Sequence, residues 1–200
     1  MSFFFSFIVP VYNSDKTITK SLKSTFGKAS NKNEIVVIDD KSKDKSLKKI
    51  YKLKQNSKSN INIIKNKINK GPGASRNKGI MKAKGRYLIF LDSDDKIIEN
   101  SLEKVKKEIE KNKFPDLILG LYKKENFPFS NKIYFNKIRK RSFIKKRNFL
   151  KNLYQRQLTL DECWPFIVKR DFLRKKGIQF PDLNINEDQI FSNNLILASN

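Results

Sequence analysis

The sequence predicts an α/β fold in which a mostly parallel central sheet is flanked by helices. Short apolar runs rich in β-branched and aromatic residues alternate with segments whose apolar residues recur at helical spacing. The strand-like runs are almost continuously apolar, as expected of strands that are covered on both faces. Alternating strands and helices favour right-handed crossovers and a parallel sheet.

The first third of the sequence predicts three strands and two helices. Apolar runs indicate strands over residues 3–9, 34–38 and 61–64, and Pro10 ends the first of them. Two intervening helices are indicated by apolar residues at helical spacing, which are Ile18, Leu22 and Phe26, then Leu47, Ile50 and Tyr51.

The later sequence continues this alternation. A helix is expected over 74–83, and strands are expected over 87–91 and 116–121. A helix between those two strands is indicated by Ile98, Leu102, Val105 and Ile109. Two more helices are expected over 171–176 and from 187 onward, the second with Ile190, Phe191 and Leu195 facing inward. We expect one domain over 1–200, with a first half at 1–122 and a second half at 123–200.

The chain contains no histidine, which excludes several kinds of chemistry. Catalysis by Ser-His-Asp or Cys-His groups and zinc binding through histidine are impossible, so a general base must be Asp, Glu, Lys or Tyr. A bound metal must be held mainly by oxygen, which favours Mg²⁺ or Mn²⁺. The single cysteine, Cys163, is expected to be a small core residue and indicates a reducing compartment, the cytoplasm.

The formal net charge of +24 has three possible sources. It favours binding to nucleic acid, attraction to anionic lipids or substrates, or a lysine-rich composition that follows from an AT-rich coding sequence. Residues 126–160 contain ten Lys or Arg residues and no acidic residue. No apolar run is long enough to cross a bilayer. We therefore expect a soluble protein whose basic segment can contact the inner face of an anionic membrane.

Two acidic clusters directly follow predicted strands. Asp39-Asp40 follows the second strand, and Asp92-Ser93-Asp94-Asp95 follows the fourth. Ligands of parallel α/β sheets gather where the strands deliver their carboxyl ends. Because neighbouring carboxylates repel one another, such clusters indicate a cation between them.

Four motifs together resemble glycosyltransferase family 2. They lie in the family's order and spacing at residues 7–13, at 35–40 with Ser42 and Asp44, at 71–79 and at 87–95. This resemblance covers about the first 120 residues. In the second half, Phe180-Pro181 followed by residues 186–191 resembles the family's acceptor-side Glu-Asp segment.

The resemblance implies a Rossmann-like GT-A fold whose nucleotide-sugar half precedes its acceptor half. It also implies an inverting enzyme that uses a nucleoside-diphosphate sugar, most simply a UDP-sugar, with Mn²⁺ or Mg²⁺. The implied acceptor is a hydroxyl of a glycan or of a lipid-linked glycan in cell-surface polysaccharide or lipopolysaccharide synthesis. The implied site residues are Pro10, Tyr12, Asp40, Arg76 and Asp94 for the donor, Asp95 for the metal, and Asp188 as catalytic base.

Purely structural roles are also open for these residues. Tyr12 is compatible with core packing, and Asp40 with capping of the following helix. Arg76 is compatible with a simple ion pair, and Asp188 with a carboxylate in the first turn of a helix. The sequence ends at Asn200, earlier than is usual for the family, so an inactive or truncated fold that only binds donor stays open. A nucleotidyltransferase and a basic nucleic-acid-binding module stay open as well, although we expect no nucleic-acid partner.

Overall fold

In a computed structural model of the chain, strands and helices alternate around one sheet. The structure describes residues 3–26, 32–120, 163, 165–183 and 185–199. Within these ranges the strands are β1 (Phe5–Val11), β2 (Asn33–Asp39), β3 (Asn60–Lys65), β4 (Tyr87–Phe90), β5 (Leu117–Leu119) and β6 (Phe166–Lys169). The helices are α1 (Ile18–Ser24), α2 (Ser46–Gln55), α3 (Gly71–Lys82), α4 (Ser101–Lys111), α5 (Arg170–Lys176) and α6 (Glu187–Ala198).

The described strands form a six-stranded mixed sheet in the order β3-β2-β1-β4-β6-β5. Strands β1 to β4 are mutually parallel, and β6 runs antiparallel to both of its neighbours. This arrangement confirms the predicted α/β class with a mostly parallel sheet. The chain leaves β1 toward β2 on one side and later reaches β4 on the other, so the topology switches direction at the carboxyl end of β1.

Both faces of the sheet are buried. Successive side chains of a strand point to opposite faces, and in β1 Ile8 belongs to one apolar cluster while Phe7 and Val9 belong to the other. All three side chains are fully buried. This two-sided burial is the reason why the strand runs are almost continuously apolar.

Helix α3 lies very close to the sheet because residue 79 is glycine. A Cβ atom at Gly79 would lie 2.4 Å from Cγ2 of Ile8 and 2.9 Å from Cδ1 of Ile38. The helix begins at Gly71, three residues before the predicted start, with a proline in its first turn, where the missing N–H is tolerated.

The structure corrects the sequence analysis at further points. Pro10 was expected to end the first strand, but β1 continues through it to Val11. Strand β6 was not predicted, and it inserts antiparallel between β4 and β5. Ile98 was expected on a helix, but it is exposed and precedes α4. Ile190 was expected to face inward but is exposed, because Phe191 and Leu195 occupy the inward face of α6.

Several sequence predictions lie outside the described residues. These are the basic segment 126–160 and the boundary between the halves 1–122 and 123–200, which therefore stay predictions. Among the described helices, none combines the length and apolarity needed to span a membrane.

Candidate active site

Three loops meet at the carboxyl edge of the parallel strands. The loop after β1 joins the loop after β2, because the backbone N–H of Asn13 donates to Oγ of Ser42 at 3.1 Å and that of Ser14 donates to Oγ of Ser46 at 2.7 Å. The same loop reaches the one after β4, because the hydroxyl oxygens of Ser14 and Ser93 lie 2.7 Å apart. The two predicted acidic clusters therefore belong to one edge of the sheet.

Asp40 caps the amino terminus of α3 from a distant position in the chain. Its buried carboxylate accepts hydrogen bonds from the backbone N–H groups of Lys70 at 3.0 Å and Gly71 at 2.8 Å. The side-chain amide of Asn66 donates to it at 2.7 Å. A carboxylate at a helix amino terminus is favoured by the unpaired N–H groups and the helix dipole. The helix that Asp40 caps is thus α3 and not α2, which follows it directly.

The acidic residues of the loop after β4 differ in burial: Asp92 is half-buried, whereas Asp94 and Asp95 are exposed. Oδ1 of Asp92 accepts a hydrogen bond from Nη2 of Arg76 at 2.7 Å. The backbone carbonyl of Asp92 accepts bonds from the Ser21 hydroxyl at 3.1 Å and from the N–H of Asp95 at 3.1 Å, which fixes the turn.

The carboxylate oxygens of this loop suit a hard divalent cation whose other ligands come from a substrate and from water. Within the described part of the chain, no group of three or more acidic or cysteine side chains is arranged to hold a metal ion. Mg²⁺-type sites commonly use one or two carboxylates and complete their shell with substrate phosphates and water. The exposed carboxylates of Asp94 and Asp95 suit such a site.

Arg76 on α3 connects the β4 loop to the amino terminus of α6. Its side chain is 4% exposed, and Nη1 donates to Oδ1 of Asp188 at 2.5 Å and lies 3.4 Å from Oε1 of Glu187. Nη2 forms the contact with Asp92, and the guanidinium carbon lies 5.4 Å from the ring centre of Phe180. One buried cation thus contacts three carboxylates that come from two different parts of the chain.

The surroundings of Asp188 give this carboxylate an unusual affinity for protons. Burial raises the pKa of Asp188 from 3.8 to about 6, with the charges of Glu187 and Asp92 acting in the same direction and that of Arg76 opposing them. A general base works best when its pKa is close to the working pH. The position of Asp188 therefore suits acceptance of a proton from a weakly acidic hydroxyl.

Two further groups complete the electrostatics of the cluster. Burial alone would lower the pKa of Arg76, but the carboxylates of Asp92 and Asp188 raise that pKa above its ordinary value and keep the guanidinium charged. Burial raises the pKa of the Cys163 thiol well above its usual range. This thiol is fully buried, as predicted, and forms a hydrogen bond with Asp188.

The remaining predicted site residues lie at or below the same edge. Tyr12 is 47% exposed, so its side chain is not part of the core. Pro10 is buried within β1 beside Ile38 of β2. No described contact tests the roles assigned to the predicted site residues, and those roles stay predictions.

Sequence reasoning did not single out Asn66. It named Asp92 in an acidic cluster, Glu187 in the Glu-Asp segment and Cys163 as a core residue, but it gave none of these three a role in this site. Asn66 directly follows β3, and position at the carboxyl end of a parallel strand was a usable signal for it and for Asp92. Glu187 adjoins the predicted base. Nothing in the sequence pattern around Cys163 indicates its contact with Asp188.

A switch-point edge that carries carboxylates is typical of nucleotide-binding α/β proteins. Comparison with known sequences makes this class specific, because the profile of the family described as Glycosyl transferase family 2 matches residues 6–176. The chain belongs to this family, as the sequence motifs predicted.

Two characterised relatives cover most of the chain. The poly(ribitol-phosphate) beta-glucosyltransferase of Bacillus spizizenii is 32% identical over 198 residues, which are 97% of this chain and 30% of that protein. The Escherichia coli UDP-Glc:alpha-D-GlcNAc-diphosphoundecaprenol beta-1,3-glucosyltransferase WfgD is 32% identical over 174 residues, 84% of this chain and 66% of that protein. The chain thus spans less than two thirds of the length of either relative.

Solved structures share the fold. Staphylococcus aureus TarS 1-349 in complex with UDP matches with a TM-score of 0.79 at 30% identity, over 98% of this chain and 56% of that one. A Pyrobaculum calidifontis mannosyltransferase in complex with GDP-Man and Mn²⁺ matches with a TM-score of 0.68 at 16% identity, over 96% of this chain and 51% of that one. At that identity the second likeness concerns the fold alone. The fold is therefore GT-A, as predicted.

Proposed function

We propose that the chain is an inverting glycosyltransferase that moves a sugar from a nucleoside-diphosphate donor to a hydroxyl acceptor in cell-surface glycan synthesis. Family membership supports the sugar transfer. The UDP bound by TarS and the UDP-Glc in the name of WfgD support a UDP-sugar as donor.

The observation that carries this proposal is the meeting of the β4 loop and Asp188 around Arg76. Asp92 of the β4 loop and Asp188, a carboxylate suited to act as a base, contact the two terminal nitrogens of one buried guanidinium. A sugar transfer in a single displacement needs a group on each side of the anomeric carbon. We assign the β4 loop to one side and Asp188 to the other.

On the donor side we assign the roles that the resemblance to the family implies. The exposed ring of Tyr12 stacks on the nucleotide base, beside the ends of β1 and β2 to which Pro10 and Asp40 contribute. Asp94 binds the ribose. Asp95 holds a Mn²⁺ or Mg²⁺ ion, which when bound offsets the negative charge that develops on the departing diphosphate.

On the acceptor side Asp188 is the base. Its carboxylate takes the proton of the acceptor hydroxyl while the acceptor oxygen forms a bond to the anomeric carbon of the sugar. The bond from that carbon to the diphosphate oxygen breaks in the same step, and the electron pair leaves with the nucleoside diphosphate. Attack opposite to the leaving group inverts the configuration at carbon.

The relatives suggest two kinds of acceptor. One relative's name specifies a poly(ribitol phosphate), and the other's a diphosphoundecaprenol-linked sugar. Both are anionic, which agrees with the net charge of +24. We propose an acceptor of this anionic class at the cytoplasmic face of the membrane.

A thermal-shift and transfer experiment tests the function. UDP-Glc, UDP-GlcNAc and GDP-Man are added to the purified chain with and without Mn²⁺, and we expect one donor to raise the melting temperature only when metal is present. With that donor and a lipid-linked or poly(ribitol phosphate) acceptor, Asp188→Asn should abolish transfer and leave the melting shift intact.

Three outcomes would contradict parts of this proposal. Transfer by Asp188→Asn at the normal rate would show that another group is the base. Metal-dependent donor binding without any transfer would favour a fold that only binds donor. Binding of oligonucleotides in place of nucleotide sugars would favour a nucleic-acid-binding module.

A further inference from the structure

We propose that Arg76 is a positioning residue that holds the carboxylate of Asp188 ready to accept a proton, and not a ligand of the nucleotide sugar. This inference rests on the proposed function, because it takes Asp188 as the base. It revises the donor-binding role that the family resemblance implies for Arg76.

The burial of Arg76 argues against direct contact with a donor. Its side chain is 4% exposed, and both terminal nitrogens are already engaged by carboxylates, Nη1 by Asp188 and Nη2 by Asp92. Among the described residues Nε is buried and has no hydrogen-bond partner, so it points into the interior. A diphosphate would have to displace Asp92 or Asp188 to reach the guanidinium.

The geometry suits alignment of the base. The side chain of Arg76 extends from α3 and contacts Asp188 in the first turn of α6. The two residues are 112 positions apart in the chain. The planar guanidinium engages carboxylates on both sides in fixed directions, which a lysine ammonium cannot do. The same group therefore fixes the base relative to the β4 loop that we assign to the donor.

The charges around Asp188 act with opposite signs, which makes the role measurable. The groups that face it are Arg76 from α3, Glu187 from α6, Asp92 from the β4 loop, and Cys163. Among the described charged groups, only Arg76 favours the ionised form of Asp188, while Glu187, Asp92 and burial oppose it. Removal of Arg76 must therefore raise the pKa of Asp188, and removal of the Asp92 charge must lower it.

The experiment compares Arg76→Gln, Arg76→Lys and Asp92→Asn with the unaltered chain over a range of pH. In kcat, which reports on the bound complex, we expect the acidic limb to move to higher pH by about one unit or more for Arg76→Gln and to lower pH for Asp92→Asn. Arg76→Lys keeps the charge but loses the fixed direction, so we expect kcat to fall about tenfold or more with the donor KM unchanged. Affinity for UDP with Mn²⁺ should stay within about twofold in both Arg76 variants.

A second readout does not require activity. Each variant is combined with Asp188→Asn, and the difference in unfolding free energy between the paired proteins is followed against pH. The midpoint of that difference lies between the unfolded-state and folded-state pKa values of Asp188, so it moves when the folded-state pKa moves. If Arg76→Gln does not fold, the Asp92→Asn and Arg76→Lys pairs still give their midpoints.

The two proposals fail in different ways. At least tenfold weaker UDP binding by Arg76→Gln, with both pH midpoints unmoved, would make Arg76 a donor ligand and overturn this inference while leaving the transferase intact. Shifts of Asp92→Asn and Arg76→Gln in the same direction would also overturn it. Normal transfer by Asp188→Asn would instead remove the proposed base itself.

Discussion

At the scale of single residues, Asp188 combines partial burial with ion pairing. Burial and nearby acids raise its pKa to about 6, although Arg76 lies at 2.5 Å and opposes the rise. An acid whose pKa is higher in the folded state adds stability below its unfolded value, and that contribution is lost as the pH rises through the folded pKa. Ionised Asp188 therefore lowers the stability of the fold above pH 6.

We predict that Asp188→Asn stabilises the protein at pH 8 by about 1–3 kcal/mol, since asparagine resembles the uncharged acid. For a chain of this size that corresponds to a rise of several degrees in melting temperature. The gain should vanish below about pH 4, where the wild-type carboxyl is protonated in both states. Melting curves from pH 4 to 8 measure this.

A matched control is Asp171→Asn on α5, an exposed acid that should show no comparable pH dependence. Equal gains at pH 4 and 8 would contradict the prediction.

Membership of the candidate site was predictable from the sequence for residues that lie in a motif at the end of a strand or at the start of a helix. Asp40 and Asp188 lie within recognisable motifs, and both belong to the candidate site. The partners of Arg76 were not predictable, because Glu187 and Asp188 are 111 and 112 positions away and no local pattern links them. The same holds for Asp40, whose helix partner begins about thirty residues later.

At the scale of elements, the packing of α3 on β1 depends on Gly79. Alanine in the middle of a helix ordinarily stabilises it relative to glycine by about 0.5–1 kcal/mol. At Gly79 the added Cβ would lie 2.4 Å from Cγ2 of Ile8, within the fully buried core. Helix propensity and core packing therefore oppose each other at this position.

We predict that Gly79→Ala destabilises the protein by about 1–3 kcal/mol, because overpacking exceeds the gain in helix propensity. Lys82→Ala, at the exposed end of the same helix, should change the stability by less than about 0.5 kcal/mol. Urea denaturation of both variants measures the difference. A Gly79→Ala protein as stable as wild type would mean that α3 moves away from the sheet without cost.

Strands were predictable where an apolar run is long and stands between turn signals, as in β1, β2 and β3. Strand β6 was missed because it directly follows Pro165 and leads without a turn into α5. Its antiparallel direction also breaks the strand–helix alternation on which the prediction was based. Ile190 was wrongly assigned to the inward face of α6, because helical spacing alone does not decide between Ile190 and its neighbour Phe191.

At the scale of the whole molecule, the net charge of +24 is the dominant property. Basic residues near an anionic lipid surface contribute about 1 kcal/mol each and lose that contribution as salt screens them. The segment 126–160 concentrates ten of them without an acid. Contact with an anionic membrane through this segment stays a prediction.

We predict that the chain binds vesicles containing anionic lipid at low salt and is released at high salt, while neutral vesicles do not bind it. Replacement of Arg139, Lys140 and Arg141 by glutamine should weaken binding severalfold more than the same replacement of Lys48, Lys52 and Lys54 on α2. Vesicle sedimentation measures both. Equal losses would assign the attraction to net charge, and insensitivity to lipid charge and salt would exclude membrane contact.

The 112-residue separation between Arg76 and Asp188 has a consequence for biosynthesis. As the chain leaves the ribosome, Arg76 emerges long before α6, which carries two of the three carboxylates that contact it among the described residues. A nascent chain that has not yet reached α6 has Asp92 alone of these three to neutralise Arg76. Interrupted translation should therefore yield an amino-terminal fragment whose Arg76 lacks the carboxylates of α6, and we expect chaperones and proteases to recognise such a fragment.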